Sequence, residues 1–167
     1  MKTVTRKEII KRLDRLRQTY ARYEGAKKKN GTWVNTCVTC GAVFPCDKTN
    51  GGHFCSRSCY PLRWDEKNVH CQCVRCNLYR NGAYIEYSQW FIKKYGEETF
   101  NRYVDIYRKW QQGKLPALKI NELRELHDFW LAKGRELEQK IGPTFPKSWE
   151  PLNDPYILTS GGLPDNS

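Results

Sequence analysis

Two short stretches decide how this chain reads: Cys37-Val38-Thr39-Cys40-Gly41 and Cys73-Val74-Arg75-Cys76-Asn77. Each CxxC pair sets two thiolates on one tight turn, which matches two edges of a tetrahedral zinc site. Four sulfurs leave no open coordination position, so the zinc expected at Cys37, Cys40, Cys73 and Cys76 is structural. It stands in for the hydrophobic core that some fifty residues cannot supply. All eight cysteines of the chain fall between Cys37 and Cys76, whereas disulfide staples tend to spread along a sequence. Cys46, Cys55, Cys59 and Cys71 have irregular spacings. They read either as a second metal site or as buried, free thiols.

Outward from the cysteines the chain divides into four parts. Residues 1–30 form a basic amphipathic helix with a linker. Thr5 caps the helix, with Glu8 three positions on. Ile9, Leu13, Leu16, Tyr20 and Tyr23 make one stripe over residues 5–24, which calls for packing against the body or against a second copy. The run Lys27-Lys28-Lys29-Asn30-Gly31 reads as the linker. Residues 31–82 form the cysteine-rich module, cut by Gly41, Pro45, Gly51, Gly52 and Pro61 into loops and a hairpin, with a helix from about Cys73 carrying Asn77 and Asn81. Residues 83–142 read as three helices, Ser88–Tyr95, Glu97–Trp110 and Asn121–Ile141. Residues 143–167, rich in Pro, Gly and Ser, read as an extended or disordered tail. The fold class expected is α+β.

Charge narrows the function. Over 167 residues the chain carries 29 Lys and Arg against 18 Asp and Glu, a net charge of +11. Residues 1–30 hold eleven of those cations and three acids, so +8 of the +11 lies there. A polyanionic partner is implied. Mean hydropathy is −0.80, no apolar run approaches the ~20 residues of a membrane span, and no apolar stretch follows the basic N-terminus as in a signal peptide. Membrane spans are therefore not expected, and a cytosolic location is.

Between the CxxC pairs lies Asn50-Gly51-Gly52-His53. Asn68 follows, and Asn77 and Asn81 come just behind Cys76. This order of histidine, asparagine and polar pair is the layout of H-N-H, or ββα-metal, nucleases. The strings Cys37-Val-Thr-Cys40-Gly41, Gly52-His53, Leu62-Arg63-Trp64 and Asn68-Val-His70-Cys-Gln72-Cys73-Val-Arg-Cys76-Asn77 resemble the lambda-phage NinG (Rap) recombination protein family over about residues 37–96. That resemblance implies a zinc-stabilised ββα, treble-clef-like module flanked by helices. It also implies a metal-dependent endonuclease acting on branched DNA recombination intermediates in the cytoplasm of a bacterial host; further partners to expect are other phage recombination proteins and, from the helix stripe, a second copy in a homodimer.

By the same resemblance His53 is the general base, whose imidazole titrates near working pH. Asn68 orients that imidazole. Asn77, with Asn81 as the weaker candidate, faces a catalytic Mg²⁺ or Mn²⁺, both suited to oxygen ligands. Two departures favour a rival reading, a zinc-stabilised DNA-binding accessory protein without nuclease activity. Gly52 stands where many such nucleases place a carboxylate or histidine, and Asn77 where many have histidine. Asn50, Asp47 or Asp65 is then needed as an oxygen ligand. Lys27, Lys28, Lys29 and Arg63 are the DNA-contact candidates. The lysine run would by itself read as a solvated face, but its place beside the nuclease-like module favours DNA contact, while Arg63 reads equally as a phosphate contact or as an ion-pair partner of Asp65. His70 and His127 read as structural, and the aromatics of 83–142 as core.

Overall fold

The computed structural model describes residues 4–142; the expected tail, 143–167, lies outside them. Helix α1, Arg6–Tyr23, begins at Thr5, whose side chain accepts from the Glu8 N–H while Glu8 accepts from the Thr5 backbone, the reciprocal cap expected. Its stripe packs on the body. Ile9, Leu13, Leu16 and Tyr23 are buried with Leu123, Trp130, Leu131 and Ile141 of the last helix, and Tyr20 meets Trp130 edge-on at 5.1 Å. Fully burying one such aliphatic side chain contributes roughly 1.5–3 kcal/mol, so this seam makes α1 part of the core.

The lysine run is a strand, not a linker. Strand β1, Lys27–Lys29, pairs antiparallel with β2, Thr32–Thr36, which pairs with β3, Val43–Pro45. Asn30 and Gly31 form the two-residue turn between β1 and β2, with φ of 48° and 78°. A hairpin turn with both central residues left-handed matches the twist of its strands and favours Asn-Gly. Three consecutive lysines conceal the strand because no apolar alternation marks it. All three side chains are exposed on the sheet's edge, a placement that blocks further strand pairing.

A second sheet carries the site. Strand β4, Thr49–His53, pairs antiparallel with β5, Val69–Cys73, in the register Gly52↔His70 and His53↔Val69. After β5 the expected helix is a single wide turn, Arg75–Tyr79, with the Arg80 N–H bonded to the Arg75 carbonyl. The chain then leaves through Asn81 and Ala83, both left-handed at φ 48° and 46°. So the expected helix after the two strands is a single turn. Helices α2, Tyr84–Tyr95, α3, Glu97–Gln111, and α4, Ile120–Ile141, follow; α2 starts one turn before the expected Ser88. Tyr87, Phe91 and Tyr103 of α2 and α3 bury Phe54, Cys55, Cys59 and Leu62 in a second core. No helix among the described residues is long and apolar enough to cross a membrane.

Candidate functional site

The four predicted metal ligands converge. The sulfurs of Cys37, Cys40, Cys73 and Cys76 lie within 4.8 Å of one another, and Cys40 Sγ is 4.0 Å from Cys73 Sγ. Zinc–sulfur bonds of about 2.3 Å put tetrahedral sulfurs roughly 3.8 Å apart, so the cage needs only slight contraction to hold zinc. The turns are built for it. The Gly41 N–H bonds the Cys37 carbonyl, the Cys37 N–H bonds Ala42, and the Cys76 N–H points at Cys73 Sγ at 3.4 Å. Burial raises the Cys37 thiol, but backbone hydrogen bonds at Cys73, Cys40 and Thr39 outweigh it and bring it down to about 7. Cys76 is pushed up to about 12 by burial and by the neighbouring cysteines. Four thiolates cannot share this space unaided, and a dication removes that conflict.

The other cysteines form no second cage among the described residues. Cys46 belongs to the α1–α4 core, and Cys55 and Cys59 to the α2–α3 core. Cys71 is buried on β5, and burial raises its thiol to about 11. They are apolar filling.

His53 ends β4 beside two hollows. One, of about 380 Å³, is lined by Gln18, Asn50, Arg57, Asn77 and Leu78; the other, of about 370 Å³, is lined by Asn81 and Tyr84 among others. The His53 Nε2 lies 3.1 Å from the Arg63 carbonyl oxygen. A carbonyl only accepts, so Nε2 carries the proton and Nδ1 keeps a free lone pair. Burial first, and then the Arg57 charge, push the imidazole down to about 4. At neutral pH it is therefore uncharged.

Several expected roles move. Asn68 does not touch the imidazole. It is fully buried, accepts from the Cys55 N–H at 2.7 Å and donates to the Cys55 carbonyl at 3.0 Å, so it clamps the strand end next to His53. Asn77 and Asn50 share a hollow with His53, while Asn81, displaced by its left-handed turn, lines the other; the metal pair Asn77–Asn81 is thus split. Asp47 is exposed against Lys48, and Asp65 accepts from the Tyr103 hydroxyl and the Lys67 N–H. Neither lines the hollows at His53. Arg63 pairs with Asp14, not Asp65, through bonds of 2.9 and 2.6 Å, which binds its guanidinium to α1 in place of a phosphate.

Asp14 is the residue that sequence reasoning passed over. It also holds Arg57 at 2.8 Å and the Trp64 indole at 2.9 Å. Burial tends to raise its carboxyl, but Arg63, Arg57 and Trp64 prevail and hold it below the usual range. Its signal was being the only acid between Glu8 and Glu24 of a basic helix.

Gly52 has a steric reason. A Cβ there would lie 1.8 Å from Gln72 Oε1, and Gln72 is fully buried, donating to the Thr39 hydroxyl at 2.5 Å and the Gly82 carbonyl at 2.9 Å. The Gly52 carbonyl accepts from the Tyr87 hydroxyl. That hydroxyl therefore accepts from His70 Nδ1–H at 2.8 Å, leaving His70 Nε2 to accept from Tyr95 at 2.8 Å. Burial, then Arg17 and Lys94, lower His70 to about 3. It is a neutral tie between β5 and α2, as its structural reading requires.

A family model described as "Bacteriophage Lambda NinG protein" matches residues 1–140. Protein ninG of Escherichia phage 933W is 28% identical over 95 residues, 55% of this chain and 47% of that protein. Protein ninG of Escherichia phage lambda and that of Salmonella phage P22 are each 27% identical over 95 residues, 55% of this chain and 46% of each. The chain thus spans about half the length of the curated relatives it matches. No solved structure matches it.

Proposed function

Because the chain belongs to the bacteriophage lambda NinG family, we propose that it is a metal-dependent DNA endonuclease of the H-N-H type, acting on branched recombination intermediates in the host cytoplasm. The observation that carries the reading is His53: uncharged at neutral pH, its ring fixed by the Arg63 carbonyl through Nε2, and its Nδ1 free beside a hollow lined by polar groups. A general base must offer an unprotonated nitrogen in a fixed direction. Nδ1 takes the proton of the attacking water, and Asn68 holds the strand end that aims the ring. Arg57, half exposed at that hollow, shares its charge between Asp14 and the phosphate. The amide oxygens of Asn50 and Asn77 are the groups that would hold Mg²⁺ or Mn²⁺. When bound, such an ion neutralises the phosphate and the leaving oxygen. The amides are hard oxygen donors, but none of the residues lining that hollow is a carboxylate. The set therefore fits a divalent ion only together with phosphate oxygens of the DNA.

That lack of a carboxylate favours a second reading, a zinc-stabilised DNA-binding accessory protein without nuclease activity. Incubating the protein with duplex, forked and four-way DNA, with and without Mg²⁺ or Mn²⁺, separates the two. Metal-dependent cutting that His53→Ala abolishes is the expected result. Tight binding of branched DNA without cutting under either metal would support the accessory role instead.

A further inference from the structure

Three aromatic rings run from the core to the mouth of the second hollow. Phe91 is fully buried and stacks on Phe54, with centroids 4.2 Å apart and planes at 16°. Phe54 stacks in turn on Tyr84, at 5.5 Å and 6°. The row ends there. Tyr84 opens α2, is 54% exposed, and lines the hollow of about 370 Å³ with His53, Ser56, Asn81 and Tyr107. Exposed apolar side chains occur in the neighbouring stretch of chain at Leu78, Tyr79 and Ile85; of the arginines there, Arg80 is ion-paired with Glu86 and Arg75 lines a separate hollow beside the cysteine cage. A half-exposed ring that ends a stack at the mouth of a hollow calls for an occupant. A nucleobase has a π face that extends a parallel aromatic stack, and the chain's net charge of +11 suits the phosphates it carries.

We propose that the hollow between His53 and Tyr84 receives one unpaired nucleobase of the DNA, stacked on Tyr84 and edged by the Asn81 amide, so that the adjoining phosphate comes to His53. The proposal rests on the reading of this crevice as a DNA-cutting site and adds to it the feature that is recognised. In duplex DNA the base must first be unstacked, which costs free energy. At a fork or junction it is already free, so selectivity for branched DNA follows from the pocket without any sequence readout.

The test uses the full chain without divalent metal, and DNA carrying 2-aminopurine either at the unpaired nucleotide beside a fork or at the same position in duplex. Binding should quench the fluorescence of the unpaired probe and leave the paired probe unchanged. Tyr84→Leu keeps apolar packing on Phe54 but removes the ring. It should abolish the quench and weaken fork binding about tenfold with duplex binding unchanged, while Tyr84→Trp restores both. Zinc content reports whether each variant is folded, and scanning the probe along the fork tests the original chain alone. An equal loss on fork and duplex, or an original chain that binds forks without quenching, overturns the pocket. So does a Tyr84→Leu change confined to self-association in sedimentation, which would assign the surface to a second copy. Quenching without any cutting once Mg²⁺ is added would leave the pocket standing and remove the nuclease reading. Failure to bind either DNA removes both.

Discussion

At the scale of single residues, the site depends on what surrounds His53 more than on His53 itself. An imidazole in water titrates near 6.5, but here burial and Arg57 take it to about 4. The base form is the neutral one, so activity should be lost only as pH falls towards 4. Measured as kcat/KM, which reports the free enzyme, the pH profile should be flat from 8 down to 5; an acid limb at 6–7 would mean a solvated histidine. His53→Ala should lower the rate by ~10²–10⁴-fold with zinc content and DNA binding intact. One position earlier, Gly52→Ala tests the steric account. Gln72 is held by two hydrogen bonds and cannot swing aside freely. The methyl should therefore cost about 1–3 kcal/mol by overpacking, read as a lowered Tm. An unchanged Tm would show that Gln72 yields.

At the scale of elements, α1 is bolted to the cysteine-rich module by a buried cation. Arg17, 1% exposed, donates to the carbonyls of Asp65, Glu66 and Val69 and lies 4.3 Å over the Trp130 ring. Removing it takes a donor from the buried Val69 carbonyl and from the half-buried Glu66 carbonyl, while Asp65 keeps the Asn68 N–H; a buried carbonyl left unpaired costs about 1–3 kcal/mol. Arg17→Met should accordingly destabilise the fold by ~3 kcal/mol or more in denaturant unfolding; a change near zero would mean that water replaces the guanidinium. Close packing of α1 on β4 has a second mark. A Cβ on Gly51 would come within 2.8 Å of the Gln18 backbone. The cysteine turns are the other fastening. Cys37→Ser should lose zinc and unfold the two sheets, since binding and folding energy are one quantity there. A folded, zinc-free variant seen by circular dichroism and metal analysis would refute that.

Over the whole molecule, charge is divided between holding the fold and facing outward. Of the cations in α1, Arg17 is buried, Arg6 donates to the Leu118 carbonyl and Arg22 to the Cys46 carbonyl, whereas Lys7, Lys11 and Arg15 are exposed. With Lys27, Lys28 and Lys29 on the edge of the first sheet, these exposed groups are the ones we propose for contact with phosphates. Neutralising phosphates releases counterions, so DNA affinity should fall steeply with salt. Changing the three lysines together to Ala should reduce the slope by up to ~3, about one per lost phosphate contact. An unchanged slope in a binding titration would leave them as guards of the sheet edge.

The cage, the capped amphipathic helix and the helical region after residue 83 were legible in the sequence because each depends on local chemistry. Two CxxC turns, a Thr5–Glu8 cap and apolar periodicity announce themselves over a few residues. The order His53, Asn68, Asn77 was legible too, but not the duties within it. Which carbonyl holds the imidazole, what Asn68 clamps, which acid Arg63 meets and why position 52 is glycine all depend on residues brought together across the chain. Arg63 and Asp14 are neighbours only because α1 folds onto the second sheet, and His53 is depressed because folding buries it and brings Arg57 near. Spacing along a chain carries the types of ligands; tertiary packing decides distance and desolvation, and those set charge state and reach.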